Sequence, residues 1–413
     1  MTAPINATAV AALAGETLDW RFKGLPAAWW GRSVAEVCAD TPDLFADGAV
    51  GPVAVLHAEA LTDNLETMTR WCADHGVRLA PHGKTHMAPA LLARQLAAGA
   101  CAVTAATVSQ VRVFRAFGVR DVMLANEIVD AAALRWLAAE LDADEDFGLT
   151  CWVDSVRGVE LMTSALTVAG AGRRVDVCVE VGMPDARTGC RDAATVDEVA
   201  RAAAASPRLR LVGVAGYEAA LGHDRTPAAL AHVEAHLAQV RGAVLRLAPL
   251  FETGEVVATA GGSTYFDLVA GALSAAWPAG LSVIPILRSG CYLTHDDGLY
   301  GRTSALRDRL RPALHVWAQV MSQPQPGLAL LTMGRRDVAF DQDLPTPYGL
   351  PASRVTKLND QHAYLRLGDG DSVDVGDWVR FGVSHPCTVF DKWPMIPVLD
   401  DNGRVVDLIR TFF

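Results

Sequence analysis

Eight times between residues 77 and 287 a short apolar run rich in β-branched residues is followed by a longer helical or alanine-rich one, and this rhythm leaves few architectures open. The strand candidates are 77–82 (VRLAPH), 101–106 (CAVTAA), 121–125 (DVMLA), 149–153 (LTCWV), 174–181 (RVDVCVEV), 209–216 (LRLVGVAG), 256–260 (VVATA) and 283–287 (VIPIL). Helices are expected at 87–99, 107–117, 129–141, 192–205 and 226–247. Short strand, crossover, short strand means parallel pairing. Eight such units close into an α/β (β/α)8 TIM barrel, whose chemistry sits at the C-terminal ends of the strands. A doubly wound open sheet is the competing arrangement; no GxGxxG phosphate turn follows the first strand, which favours the barrel.

Beyond about residue 305 the rhythm changes. Segments 312–322, 327–333, 361–367, 377–383, 395–399 and 404–411 alternate or run apolar between turn residues, with "DDNG" at 400–403 as a hairpin turn, so 306–413 reads as an all-β domain. The barrel is expected over 51–305. Residues 1–50 carry Trp20, Trp29 and Trp30 but no repeat unit, and are expected to pack on the β-domain or the barrel.

A net charge of -11 with no Lys/Arg run argues against nucleic acid or an anionic membrane as partner and points to a small molecule. Residues 1–16 lack a basic leader segment and no apolar run reaches the ~18 residues of a membrane span, so a cytoplasmic protein is expected. The eight cysteines form no CxxC pair or disulfide framework, which reads as reduced thiols.

The chemistry-bearing residues cluster after strands. "LAPHGKTHMAP" at 79–89 puts Lys84 just past the first strand between His82 and His86. Desolvation and neighbouring positive charge there would lower a lysine pKa, as an imine-forming lysine requires; a solvated loop lysine is the plainer reading. "TAGGST" at 259–264 follows strand seven, offering Gly261, Gly262 and Ser263 at a helix start, and "RSGCY" at 288–292, with Gly290 and Cys291, follows strand eight. Loops after strands seven and eight are where barrels commonly hold a phosphate, although a lone Gly-Gly is usually only a turn. Arg187 and Arg191 follow strand five and could meet a carboxylate or a ring nitrogen, or simply make structural ion pairs. In "SHPC", His385 and Cys387 would face one way if extended, and imidazole with thiolate suits Zn2+. His232 and His236 in "HVEAH" lack the adjacent Glu of a zincin and read as solvated helix surface.

Taken together, "APHGKTHMAP", "CAVTAATVSQ", "MLANEIV", "VEVGMPDARTGC", "AGGSTYFD", "LRSGCYLTHD" and "DQHAYL…FGVSHPCTVFDKW" resemble the D-serine dehydratase/D-threonine aldolase family, pyridoxal-phosphate enzymes of the alanine-racemase-like fold, from about residue 50 to the C-terminus. Within the family the likeness is to bacterial D-3-hydroxyamino-acid dehydratases. The resemblance implies pyridoxal 5'-phosphate held by Lys84 as a Schiff base, with Gly261, Gly262, Ser263, Gly290 and Cys291 at its phosphate, Tyr217 beside it and Arg187 near the pyridine nitrogen. It implies a divalent metal, Zn2+ or else Mn2+, on His385 and Cys387, and a homodimer. It further implies that the Lys84 amine takes the Cα proton while the metal assists departure of the β-hydroxyl, turning D-serine, D-threonine or D-threo-3-hydroxyaspartate into a 2-oxo acid and ammonia. Retro-aldol cleavage to glycine and an aldehyde is the alternative; HxC resembles the dehydratases, where many D-threonine aldolases carry HxD. A non-catalytic pyridoxal-phosphate carrier shares the barrel alone. This sequence departs from the family at Gly83, where a bulkier residue is often found, and at Met87, where many relatives have lysine; either change could reshape the substrate pocket.

Overall fold

The computed structural model describes residues 4–413; Met1 to Ala3 of the expected N-terminal segment lie outside the described residues. The chain divides into two compact units. The first comprises residues 4–6, Thr69–Lys84 and Gln95–Gly290. It holds eight parallel strands: β1 (Arg78–Leu79), β2 (Val103–Ala105), β3 (Asp121–Glu127), β4 (Gly148–Val153), β5 (Val175–Val181), β6 (Leu209–Gly216), β7 (Val256–Ala260) and β8 (Val283–Leu287). Their order is β1-β8-β7-β6-β5-β4-β3-β2. The ring closes where β1 runs out: a parallel bridge joins His82 to Thr104, and the N–H groups of Cys101 and Thr104 donate to Leu79 and Pro81 carbonyls at 2.8 and 2.9 Å. This is the (β/α)8 barrel the rhythm implies.

Period-two alternation sorts each strand's side chains between the lumen and the helical layer. Ala80, Ala102, Met123, Trp152, Cys178, Ala215 and Ile286 form one buried interior cluster, in which the fully buried Trp152 fills most space. Burying a side chain of this size contributes roughly 1.5–3 kcal/mol. Outside, the helices start where a side chain can cap them: Thr107 accepts from Gln110 N–H, Asp130 from Ala132 and Ala133, Ser155 from Gly158, Asp192 from Thr195 and Thr226 from Ala229. Each cap contributes about 1 kcal/mol and fixes where the preceding loop must end.

The second unit comprises Ala7–Met68, Thr85–Arg94 and Cys291–Phe413. Its sheet runs Arg354–Leu358, Ala363–Arg366, Leu328–Leu331, Leu314–Gln325, Val53–His57, Met395–Leu399, Val405–Arg410, with Trp378–Gly382 pairing Leu314–Gln325 as well. All pairs are antiparallel except Val53–His57 with Met395–Leu399. The strand Val53–His57 therefore belongs to this sheet, not to the barrel expected to begin at 51. The N-terminal segment packs on the same sheet: Leu18, Phe22, Leu25, Trp29, Val37 and Leu44 share a core with Val53, Val55, Met395 and Leu408. The hairpin at 400–403 is as expected, closed by Gly403 N–H on the Asp400 carbonyl at 3.0 Å with Gly403 at φ 77°. Among the described residues no helix is long and apolar enough to cross a membrane.

Candidate active site

The C-terminal rim of the barrel is unusually rich in charge for a surface so well buried. Three inward strand positions continue the lumen pattern with ionisable groups: Glu127 beyond Met123 on β3, Glu180 beyond Cys178 on β5, and Arg288 two residues beyond Ile286 of β8. Arg288 is 3% exposed, and its guanidinium donates to Thr259 Oγ1 at 2.6 Å and to the Gly216 carbonyl at 2.8 Å while lying over the Trp152 ring. Both of these acceptors are neutral, so a cation is held at the end of the barrel by hydroxyl and carbonyl oxygens. Burial pulls its pKa down, against the raising fields of Glu218 and Glu180.

Lys84 follows β1 on the one-turn helix Gly83–Thr85 and is half-buried. Its neighbour His82 is held well below the ordinary histidine pKa, first by burial, then by the positive fields of Lys84, Arg288 and Arg187, so its imidazole is neutral. The fields of Lys84, Arg288 and Arg187 thus all act on this one imidazole. The His82 Nδ1 atom is buried without a hydrogen-bond partner, as are Trp152 Nε1, Glu180 Oε2 and both Glu127 carboxylate oxygens. Burial first, then the Glu180 and Asp154 charges, pushes the Glu127 carboxyl up to about 8.

Arg187 stands on the loop after β5, its guanidinium 4.0 Å over the Tyr217 ring. Arg191, expected as a second candidate, is spent on that loop, donating to the carbonyls of Ala186, Thr188 and Gly189 at 2.9 to 3.1 Å. The glycine loop after β7 departs from expectation. The amides of Gly261 and Gly262 donate to the carboxylate of Glu218, both at 2.9 Å, so they do not face outward as a phosphate cradle. Glu218 is fully buried, and a buried carboxylate recruits the nearest N–H groups to replace water. Space at Gly262 is tight: a Cβ there would lie 3.3 Å from both the Tyr217 ring and the Ala219 Cβ. Ser289 Oγ donates to the Gly262 carbonyl at 2.8 Å, tying the loops after β7 and β8 together beside Ser263 and Gly290.

His385 and Cys387 lie in the second unit, and the extended geometry expected of them is not found. His385 has φ 74°, in the left-handed region, and Cys387 opens the short helix Cys387–Phe390. Tertiary contacts impose this: His385 N–H donates to Asp296 at 2.9 Å, and His385 Nδ1 meets Asp341 Oδ2 at 2.6 Å. Thr388 Oγ1 donates to the other Asp341 oxygen at 2.6 Å. A carboxylate on Nδ1 fixes the ring and leaves Nε2 as the donor atom, the arrangement metal-binding histidines use. The Cys387 sulfur lies 3.4 Å from Thr85 Oγ1 and 3.4 Å from Cys291 Sγ. No group of three or more His, Cys, Asp or Glu in metal-holding geometry occurs among the described residues.

His236, expected on a solvated helix face, is buried against Gly216, with neither ring nitrogen hydrogen-bonded; burial takes its pKa down to about 4. His232 is exposed, so the two do not form a site.

The donor set at the rim suits an anionic aldehyde cofactor: one amine, two guanidiniums and two loops joined back to back. An imine needs a lysine, and the chain has four: Lys23, Lys84, Lys357 and Lys392. Only Lys84 belongs to the barrel unit. Sequence reasoning passed over Arg288, Glu127, Glu180 and Glu218. The first three were visible as ionisable residues in phase with apolar lumen positions; Glu218, on a turn after β6, carried no such signal.

Residues 56–270 match the family model of the alanine racemase N-terminal domain. Residues 313–399 match one described as "Putative serine dehydratase domain". The chain is 30% identical over 359 residues to a D-threonine aldolase of Arthrobacter sp, across 86% of this chain and 90% of that protein. It is 26% identical over 381 residues to a D-threo-3-hydroxyaspartate dehydratase of Delftia sp. (strain HT23), across 86% and 95%. The crystal structure of D-threonine aldolase from Filomicrobium marinum superposes with a TM-score of 0.76 at 28% identity, across 89% of this chain and 96% of that one.

Proposed function

Because the chain belongs to the D-serine dehydratase/D-threonine aldolase family of alanine-racemase-like proteins and is a pyridoxal-phosphate-dependent lyase, we propose that it is a metal-assisted dehydratase of D-3-hydroxyamino acids, giving a 2-oxo acid and ammonia. The observation that carries this reading is the pair His385 and Cys387, a thiolate donor where many D-threonine aldolases resemble one another in carrying a carboxylate, with the imidazole already oriented by Asp341.

Lys84 is the residue proposed to hold pyridoxal 5'-phosphate and, once its amine is free, to accept the Cα proton at Nζ. Ser263 and the backbone around Gly290 and Cys291 would hold the phosphate, while Gly261 and Gly262 shape the loop through Glu218 and leave room for Tyr217. Arg187, stacked on Tyr217, would stand at the pyridine ring, where a positive partner disfavours protonation of the ring nitrogen. When bound, the cofactor supplies an electron sink for charge developing at Cα. Cys387 with the His385 Nε2 atom would hold a Zn2+ or Mn2+ ion, whose part is Lewis-acid assistance to a hydroxyl that leaves poorly by itself.

Retro-aldol cleavage is the second reading, favoured by the 30% identity with a D-threonine aldolase. The two reactions break different bonds, Cβ–O or Cα–Cβ. Proton NMR of the protein incubated with D-threonine, with and without EDTA, separates them. Metal-dependent 2-oxobutyrate supports the dehydratase reading; glycine with acetaldehyde overturns it in favour of the aldolase.

A further inference from the structure

Cys291 and Cys387 come from distant points of the sequence and meet sulfur to sulfur at 3.4 Å within the second unit. Cys291 opens a one-turn helix, Cys291–Leu293, and is 5% exposed; Cys387 opens the helix Cys387–Phe390 and is half-buried. The Thr85 hydroxyl touches both sulfurs, at 3.9 Å from Cys291 and 3.4 Å from Cys387, and Leu299 and Tyr300 pack beside them. Of the remaining six cysteines, Cys38, Cys72, Cys101, Cys151 and Cys178 sit on strands, helices or beside their ends, and Cys190, in the loop after β5, donates its thiol to the Asp154 carbonyl at 3.2 Å. Cys72, Cys101 and Cys190 have thiols that burial pushes up to about 11 or 12.

We propose that Cys291 and Cys387 form an oxidative modification site, a dithiol that hydrogen peroxide converts to a disulfide. Joining the sulfurs needs about 1.4 Å of travel, from 3.4 Å to the roughly 2.05 Å of an S–S bond. Side-chain rotation on two short helical turns supplies a movement of that size. Cys387, the more accessible, attacks one peroxide oxygen; the O–O bond breaks, the sulfur becomes a sulfenic acid and one water leaves. The Cys291 sulfur then attacks the sulfenic sulfur, forming the S–S bond and releasing a second water. The thiols have lost two electrons and two protons in all, and one peroxide has become two waters.

The consequence for metal rests on the reading of Cys387 as a ligand, since a disulfide sulfur no longer offers a thiolate donor. Formation of the disulfide does not rest on it. The test treats the metal-loaded protein with hydrogen peroxide, alkylates remaining thiols, and reads intact mass, tryptic peptides and metal released to a chromogenic chelator. The expected result is an intact mass lower by two hydrogens before alkylation and two fewer alkyl groups after it, a peptide pair linked through positions 291 and 387, release of the metal, and reversal of the linkage by dithiothreitol. In C291S the linked pair disappears and Cys387 instead carries added oxygen; circular dichroism checks that this variant is folded, and C387S serves as the reciprocal control. Oxygen addition to Cys387 in the unsubstituted protein with no linked pair overturns the dithiol. A linked pair with the metal retained upholds the dithiol and overturns Cys387 as a metal ligand.

Discussion

Replacing His236 with leucine should stabilise the barrel, and by more in acid. The side chain sits on the helix Pro227–Leu247, packed against Gly216 at the end of β6, one residue before Tyr217. Both ring nitrogens are buried without partners, and an unmade hydrogen bond costs about 1–3 kcal/mol. Leucine removes that cost at pH 7.5. Acid adds a second contribution, because the folded pKa of about 4 lies below the ordinary 6.5. A depressed folded pKa means stability that is complete above 6.5 and is lost as pH falls toward 4, since the unfolded chain binds the proton first. At pH 5 the unfolded form is favoured by about 1.36 kcal/mol for each of 1.5 pH units, or roughly 2 kcal/mol. Urea unfolding of both proteins at pH 7.5 and 5.0 measures this directly. His57, His295 and His315, whose pKa values burial also lowers, titrate alike in both proteins and cancel in the comparison. H236L should therefore lose about 2 kcal/mol less than the parent between the two pH values. Equal losses would refute the argument that His236 is buried and neutral.

Other consequences are as direct. D341A removes the acceptor on His385 Nδ1 and should weaken metal binding about 10–100-fold, read by competition with a chelator, with little change in cofactor absorbance. G213A sets a Cβ 2.1 Å from the Val257 carbonyl oxygen of the adjacent strand, an overlap with backbone that has no rotamer to relieve it. It should cost more than 3 kcal/mol or abolish soluble expression, beyond the usual penalty for overpacking, as thermal unfolding would show. G262A places a Cβ 3.3 Å from the Tyr217 ring and should lower pyridoxal-phosphate affinity in a spectroscopic titration while leaving the far-ultraviolet dichroism of the barrel intact.

All eight barrel strands were legible because each is a local apolar run bounded by turn residues, and the structure moves their ends by only a few residues. β1 shrinks most, to Arg78–Leu79, since Pro81 has no N–H to continue a ladder. Val53–His57 was not legible as part of the second sheet, because its partners Leu314–Gln325 and Met395–Leu399 lie more than 250 residues away and nothing local names them. The backbone at His385 was misread for a similar reason. A residue before proline is ordinarily extended, and here Asp296 and Asp341 override that preference. Glu218 shows the limit for the site itself: a glycine-rich turn announces available amides, and only the fold reveals that a carboxylate has taken them.

The central claim is that Lys84 carries the cofactor at the end of β1. Reducing the protein as purified with sodium borohydride fixes an imine as a stable secondary amine, and mass spectrometry of the digest then identifies which of the four lysines bears the phosphopyridoxyl group. The account predicts Lys84 alone. The group on Lys23, Lys357 or Lys392, or on no lysine in a protein that binds the cofactor, would contradict it.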